Sequence, residues 1–286
     1  MSQAGLRQRS VVKQIPPSLK HSPTSRGTVG AVFSVEVAIT GGTFAVLLLG
    51  WSILSRLNII SPLLLPSPER VVSGFGEILT HGYKGISLFQ HVGDSLFRLF
   101  AAFALAVFTA VPLGLASGYN RKIRAVFEPL VEIYQALPPL AYYTILIIWF
   151  GIENSSKIAL LFLAAYAPLF ITSMSGVKAI QEDQVNAAHC LGANRRKAFL
   201  DVIFPASLPY IFTGLRTAMA TAFTTLVAAE MVAAVSGIGW MVFDASRFLR
   251  SDLIFAGLVV LALISIVLDR SIRVLETVFV HWKGKE

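Results

Sequence analysis

Residues 185–209 read VNAAHCLGANRRKAFLDVIFPASLP, and the reading of the whole chain turns on them. The stretch is polar and basic, with a glycine near its centre and prolines toward its end, yet long apolar runs stand on either side. Upstream, Glu182 and Asp183 sit where acids favour the positive end of a helix. Gly192 suits the position just past a helix terminus, and Asn194 suits the N-cap of a second helix, RRKAFLDVIF. Pro205 and Pro209 bracket the start of the next apolar run. The expectation is a helix, a tight glycine corner and a second helix, together a rigid knob. Ala187, Ala188 and Gly192 give the turn small residues, which permit close backbone approach by another protein surface.

Composition places that knob on a membrane protein. Of 286 residues, 55% are hydrophobic and only 14% charged, against about 25% charged in a soluble domain. Mean hydropathy is +0.69. The apolar runs extend from one end to the other, so one polytopic domain is the simplest organisation. Cys190 is the single cysteine, which excludes an intrachain disulfide.

A helix needs about 20 mostly apolar residues to cross ~30 Å of hydrocarbon. Glu36 and Arg56 bracket one such run, and Arg98 and Arg121 a second. The third lies between Glu132 and Glu153, with a start as early as Phe127, and the fourth between Lys157 and Lys178. Residues 206–235 make the fifth, interrupted by Arg216 and Glu230, and Leu253 to about Val274 the sixth. None alternates apolar and polar residues as a membrane strand would, so helices are expected. After Ser67, apolar residues at helical spacing predict a short interfacial helix.

With six spans, both termini share one side. Bases crowd the N-terminal tail, the 120s loop, the 178–197 segment and the C-terminal tail. The other side holds only Arg56, Arg70, Lys84, Lys157, Arg247 and Arg250. The positive-inside rule then makes the termini and the knob cytoplasmic. It also explains the net charge of +8 without nucleic acid.

The knob resembles the EAA loop of binding-protein-dependent ABC transporter permeases: Glu-Ala-Ala, three residues, Gly, nine residues, Ile-x-Leu-Pro. Here the pattern is Asn186-Ala187-Ala188, Gly192 and Val202-Ile203-Phe204-Pro205, with the spacing kept and Asn and Phe in place of Glu and Leu. Likeness covers nearly the whole chain. SPLLLPSPERV, LPPLAYYTILIIWFGIENSSKI, TGLR and TLVAAEM look most like the branch for taurine and other sulfonates, with nitrate and bicarbonate permeases close by.

The resemblance implies an all-α fold of the type I ABC importer permease: six transmembrane helices within 35–280 and a coupling loop at 180–205. It also implies a bacterial inner-membrane protein with both termini cytoplasmic. Residues 1–30, rich in Ser, Pro, Lys and Arg and free of acids, predict a disordered cytoplasmic tail over 1–34, a transit peptide having a similar composition, and 281–286 a short cytoplasmic tail. The implied partners are two cytoplasmic ATP-binding subunits, an extracytoplasmic solute-binding protein, a second copy of the chain and membrane lipid. ATP and magnesium belong to the partner ATPase, and no cofactor is expected on this chain. Asn186, Ala187, Ala188, Gly192 and Pro205 are the expected ATPase-coupling residues.

Charges within spans need a reason, because one at mid-membrane costs roughly 2.5–3.5 kcal/mol even on a lenient scale. Arg216 either snorkels from near the cytoplasmic end or serves the pathway or a subunit interface. Glu230 either has a partner on another helix or lines the path. Glu132, four residues after Glu128, is expected to pair with a base of the 120s loop. Asp94 and Arg98, at helical spacing, suggest a surface pair. Pro138 and Pro139 remove two backbone donors and should kink or unwind the third span, as Pro112 and Pro168 do singly in the second and fourth. Tyr134 and Gln135 are then candidates to line a cavity beside the break, together with freed carbonyls.

No GxxxxGK[ST] phosphate loop occurs. The five histidines are scattered, and no metal-ligand or nucleophile set is evident, which argues against an enzyme. The rival from another class is an ion-coupled secondary transporter using Glu132 and Glu230. It would need no docking knob, and the paired repeats common in such folds are not seen.

Overall fold

A computed structural model describes residues 26–57, 60–180 and 182–281. The chain divides into two compact units, Met1–Leu54 and Ser55–Glu286. The tail expected over 1–34 lies outside the described residues as far as residue 25, and from Arg26 the backbone is helical. The expected tail at 281–286 lies outside them beyond His281.

The first unit consists, in its described part, of helix α1 (Arg26–Arg56). Its apolar portion from Ile39 onward is long enough to cross a membrane. Ile39, Phe44, Leu47 and Leu49 are exposed, as suits a helix whose solvent is lipid.

Among the described residues, the regular elements of the second unit are all helices, apart from one isolated bridge between Tyr83 and Ile86. Helix α2 (Pro68–Thr80) begins where Ser67 Oγ accepts from the Arg70 amide and Pro68 takes the first turn. Val71, Gly74 and Ile78 form its buried stripe against the last long helix. Helix α3 (Leu88–Tyr119) is capped by Ser87. Ala102, Ala106, Ala110 and Gly114 fall on one face of it, four residues apart. Small residues at that spacing let helix backbones approach closely in lipid, and α3 packs on helix α6 (Asn154–Lys178) along this seam. Helix α9 (Phe204–Ala233) covers the other side of α6. These three helices carry most of the core.

The third span is broken where the double proline predicted a kink or unwinding. It is a pair of helices, α4 (Arg121–Gln135) and α5 (Pro139–Phe150), bent by 102°. Pro138 and Pro139 forbid the continuation: their rings crowd preceding carbonyls, and the residue before a proline is driven out of the helical region. The single prolines behave otherwise, since α3 runs through Pro112 and α6 through Pro168 as single helices. Among the described residues, five helices are long and apolar enough to span, or six with the bent pair.

Between α6 and α9 lie α7 (Glu182–Cys190), the single turn α8 (Arg195–Ala198) and a π-helical turn, Phe199–Ile203. The second helix of the knob thus does not stop before the fifth span but continues into it. Pro205 has no N–H and crowds the carbonyl of Asp201, four residues back, and the wider π turn falls at that place. Two further helices close the chain. Helix α10 (Ile238–Arg247), whose Ile238, Met241, Val242 and Ala245 are buried, was not apparent in the sequence pattern. Helix α11 (Ser251–Phe279) is the last span.

Candidate functional site

The knob has a geometry that its residues dictate. Gly192 takes φ 87°, a left-handed conformation cheap only for glycine. Around it the Gly192 amide donates to His189 O at 2.9 Å and the Ala193 amide to Ala188 O at 3.0 Å. This is a Schellman closure, which satisfies carbonyls left open at a helix end. Asn194 Oδ1 then accepts from the Lys197 amide at 2.9 Å and starts the next turn. Asn186, Ala187 and Gly192 are exposed, as is Leu191 at 89%. On the inner side, Val185 and Phe199 pack on a cluster of Leu115, Val177, Ile203 and Ile211. A push on the corner therefore reaches the ends of α3, α6 and α9 together. Pro205 lies at the first turn of α9, behind the corner.

The break between α4 and α5 opens a second site, a cavity of about 270 Å³. Tyr134 and Gln135 line it, with Tyr142 of α5, Pro168 of α6, and Thr217 and Thr221 of α9. The Tyr134 hydroxyl is buried and has no partner among the described residues. Pro139 lines the cavity, whereas Pro138 caps α5 beside it. Thr213, Thr217, Thr221 and Thr224 form a stripe down α9, of which Thr213, Thr217 and Thr224 are exposed. Each hydroxyl bonds a carbonyl of its own helix; Thr217 Oγ1 donates to Thr213 O at 3.0 Å and Thr221 Oγ1 to Thr217 O at 2.9 Å.

The charged candidates go elsewhere. Glu132 is exposed and forms no ion pair among the described residues. The expected contact with the 120s loop is made by Glu128, 4.0 Å from Arg124 and 2.8 Å from Lys178 on α6. Glu128 stands one helical turn before Glu132 and reaches both bases first. Arg216 pairs with Asp269 of α11, Nε to Oδ1 3.2 Å, instead of simply snorkelling.

Glu230 is 1% exposed and has its partner on another helix. Arg98 Nη1 donates to Glu230 Oε1 at 2.7 Å, Ser95 Oγ to the same oxygen at 2.8 Å, and the Gly239 amide to Oε2 at 2.9 Å. Arg98 Nε donates to Asn154 Oδ1 of α6 at 2.7 Å, Nη1 also to Ser236 O at 2.9 Å, and Nη2 to Ser236 Oγ at 3.1 Å. The Gly237 amide donates to His91 Nδ1 and the Ile238 amide to Ser95 Oγ. The surface pair expected of Asp94 and Arg98 is thus not formed, because a buried carboxylate demands the guanidinium more strongly than a half-exposed one. Lys157, expected as a loop base, is buried too, with Nζ donating to Ile152 O at 2.6 Å and Glu153 O at 3.0 Å. The unpaired look of Glu230 in the sequence was the signal that could have found Arg98.

At the same end, the loop between α2 and α3 is fastened to α10. Tyr83 Oη donates to Asp244 Oδ2 at 2.9 Å, and Lys84 Nζ lies 2.6 Å from that oxygen and 4.5 Å from the Phe248 ring centre. Burial works against ionisation of Asp244, but hydrogen bonds from Lys84 and Tyr83 and the Lys84 charge prevail and hold its carboxyl below the usual range. Burial and the bond to Asp244 push the Tyr83 phenol up.

Helices long and apolar enough to span, one pair of them bent at a double proline, with an exposed corner rooted on three of them, fit a membrane transport subunit. Residues 110–279 match the family model described as binding-protein-dependent transport system inner membrane component, and the chain belongs to that family. It is 40% identical over 256 residues to the taurine transport system permease protein TauC of Escherichia coli, covering 88% of this chain and 92% of that protein. It is 30% identical to the nitrate import permease protein NrtB of Synechocystis sp., covering 99% of each. In fold it is similar to an inward-facing structure of the MetNI methionine ABC transporter, with TM-score 0.59 and 15% identity over 67% of this chain and 95% of that one.

Proposed function

We propose that the chain forms the pathway for a small anion, taurine or a related alkanesulfonate, in an ABC importer of the inner membrane. The corner at Ala187–Gly192 carries this reading. It exposes Leu191 and small residues on a preorganised turn while rooting on three long helices, as a part that receives force must. Two cytoplasmic ATP-binding subunits would each seat one corner, a binding protein would deliver the solute on the far side, and both termini would be cytoplasmic. ATP and magnesium would be held by those subunits.

Two copies would face each other across α9. The threonine stripe supports this, since exposed hydroxyls along a spanning helix suit a wet path or a subunit interface better than lipid. Thr217 and Thr221 join that stripe to the cavity at the double proline. The cavity offers the Tyr134 hydroxyl and the Gln135 amide as donors to sulfonate oxygens, the Thr217 and Thr221 protons being taken by carbonyls of α9. Nitrate is the second reading, supported by the end-to-end similarity to a nitrate permease.

The test is uptake into proteoliposomes holding the chain, its ATPase and its binding protein. ATP-dependent accumulation of radiolabelled taurine is expected, with excess nitrate a weak competitor. Strong competition by nitrate would transfer the reading to nitrate. Uptake without ATP, driven by an ion gradient, would sink the importer.

A further inference from the structure

A large apolar groove, separate from the double-proline cavity, adjoins the root of the corner through Leu115 and Phe199. It is about 730 Å³, between the last two turns of α3 and the π turn that leads into α9. Leu115 and Tyr119 line one wall, Phe199, Leu200 and Phe204 the other, and the Tyr119 ring meets the Phe199 ring edge-on with centres 5.8 Å apart. Arg195 and Arg196 complete the lining.

We infer that this groove holds an anionic phospholipid, one acyl chain along the apolar walls and the phosphate on the two guanidinium groups. Three observations converge. The walls are aliphatic and aromatic with no acid among them, so a bare anion has nothing to hold it inside and a neutral lipid gains nothing from the arginines. Arg195 and Arg196 are exposed and form no ion pair among the described residues, although Asp201 is exposed on the same π turn. The groove sits at the end of two spans, with Tyr119 at the level where aromatic rings favour the bilayer boundary. Basic pockets between spans on the cytoplasmic side suit anionic head groups.

Placement matters as much as chemistry. Phe199 also packs on the cluster that roots the corner, so a lipid wedged against it would stiffen the link from corner to span. The inference rests on the cytoplasmic placement of the corner proposed above.

The test uses the whole transporter with a photo-crosslinking phenylalanine analogue in place of Leu200, followed by native mass spectrometry of the purified complex. The expected result is a phospholipid adduct on this chain, with phosphatidylglycerol retained roughly tenfold or more over phosphatidylcholine, as two bases at an anionic surface supply. R195Q with R196Q should bring the two lipids to near parity. Ala116→Trp should displace both lipids, with the arginines intact and melting unchanged, which separates loss of the site from loss of the fold. Equal retention of the two lipids by the parent would overturn the inference, as would a preference that survives the arginine changes. A peptide adduct from this chain, a second copy or the ATPase would show another occupant and overturn it too. The adduct is read on this chain alone, so lipid retained without a co-purifying ATPase would sink the importer reading and leave this one standing.

Discussion

Arg98 of α3 and Glu230 of α9 meet at 2.7 Å with side chains only 5% and 1% exposed. Through Asn154 and Ser236 the same guanidinium also holds the start of α6 and the turn before α10. One arginine thus joins three stretches distant in sequence, α3, the start of α6 and residues 230–236, at the end of the bundle away from the corner. Along α3 that separation is roughly 30 Å, about 21 residues from Arg98 to Tyr119 at 1.5 Å each.

Removing either charge alone strands the other in a dry interior, a loss of about 3–5 kcal/mol. Arg98→Leu and Glu230→Leu should each lower the melting temperature of the purified chain sharply. The double change should recover most of the loss, because hydrophobic replacement of a buried pair is often neutral. Equal melting of a single variant and the parent would show that the pair is not structural.

Gly192→Val should cost about 1–2 kcal/mol locally, since a side chain at φ 87° meets the carbonyl that follows. Gly192→Asn should be better tolerated, because asparagine visits that region. Co-purification of the ATPase should fall for valine and hold for asparagine, with bundle melting unchanged in both. Identical ATPase recovery from the two would remove the corner from the docking surface.

Replacing Pro138 and Pro139 by alanine returns two backbone donors and lifts about 3 kcal/mol of helix penalty for each. The break between α4 and α5 should straighten, and the cavity at Tyr134 and Gln135 should close. Spin labels on α4 and α5 should report a longer separation, and uptake should fall while the protein stays folded. Full uptake with a straightened span would take the cavity out of the pathway.

The Asp244 carboxyl is held below its ordinary value, so its stabilising effect is complete above about pH 4 and is lost as pH falls through the lower folded value. Melting of the parent and of Asp244→Asn should differ from neutral pH down to about pH 4 and converge below it. Convergence already at pH 6 would mean that Lys84 and Tyr83 do not hold the carboxylate. The phenol of Tyr83, displaced upward, adds an alkaline limit: its contribution persists to about pH 10 and is lost beyond.

Much of the molecule was legible in order along the chain. The corner was readable because Gly192 and Asn194 act within a few residues of themselves, through backbone conformation and capping, and the structure shows both roles. The break at Pro138–Pro139 was readable for the same reason, since proline chemistry is local. The span pattern followed from the free energy of burying backbone in lipid, which depends on runs of residues.

The sequence by itself therefore determined the family, the helical spans, the corner and the place of the broken helix. Only the tertiary structure decided which charges meet. Arg98 passed over Asp94, one helical turn away, for Glu230, 132 positions distant, and Glu128 took Arg124, a base of the 120s loop expected to serve Glu132. It also decided that α10 exists and that the knob's second turn runs on through a π turn into α9. The physical reason is that a charge in a membrane core takes the partner that spares it the larger desolvation. That partner is fixed by how helices pack in space, and the spacing of residues along the chain carries no record of it.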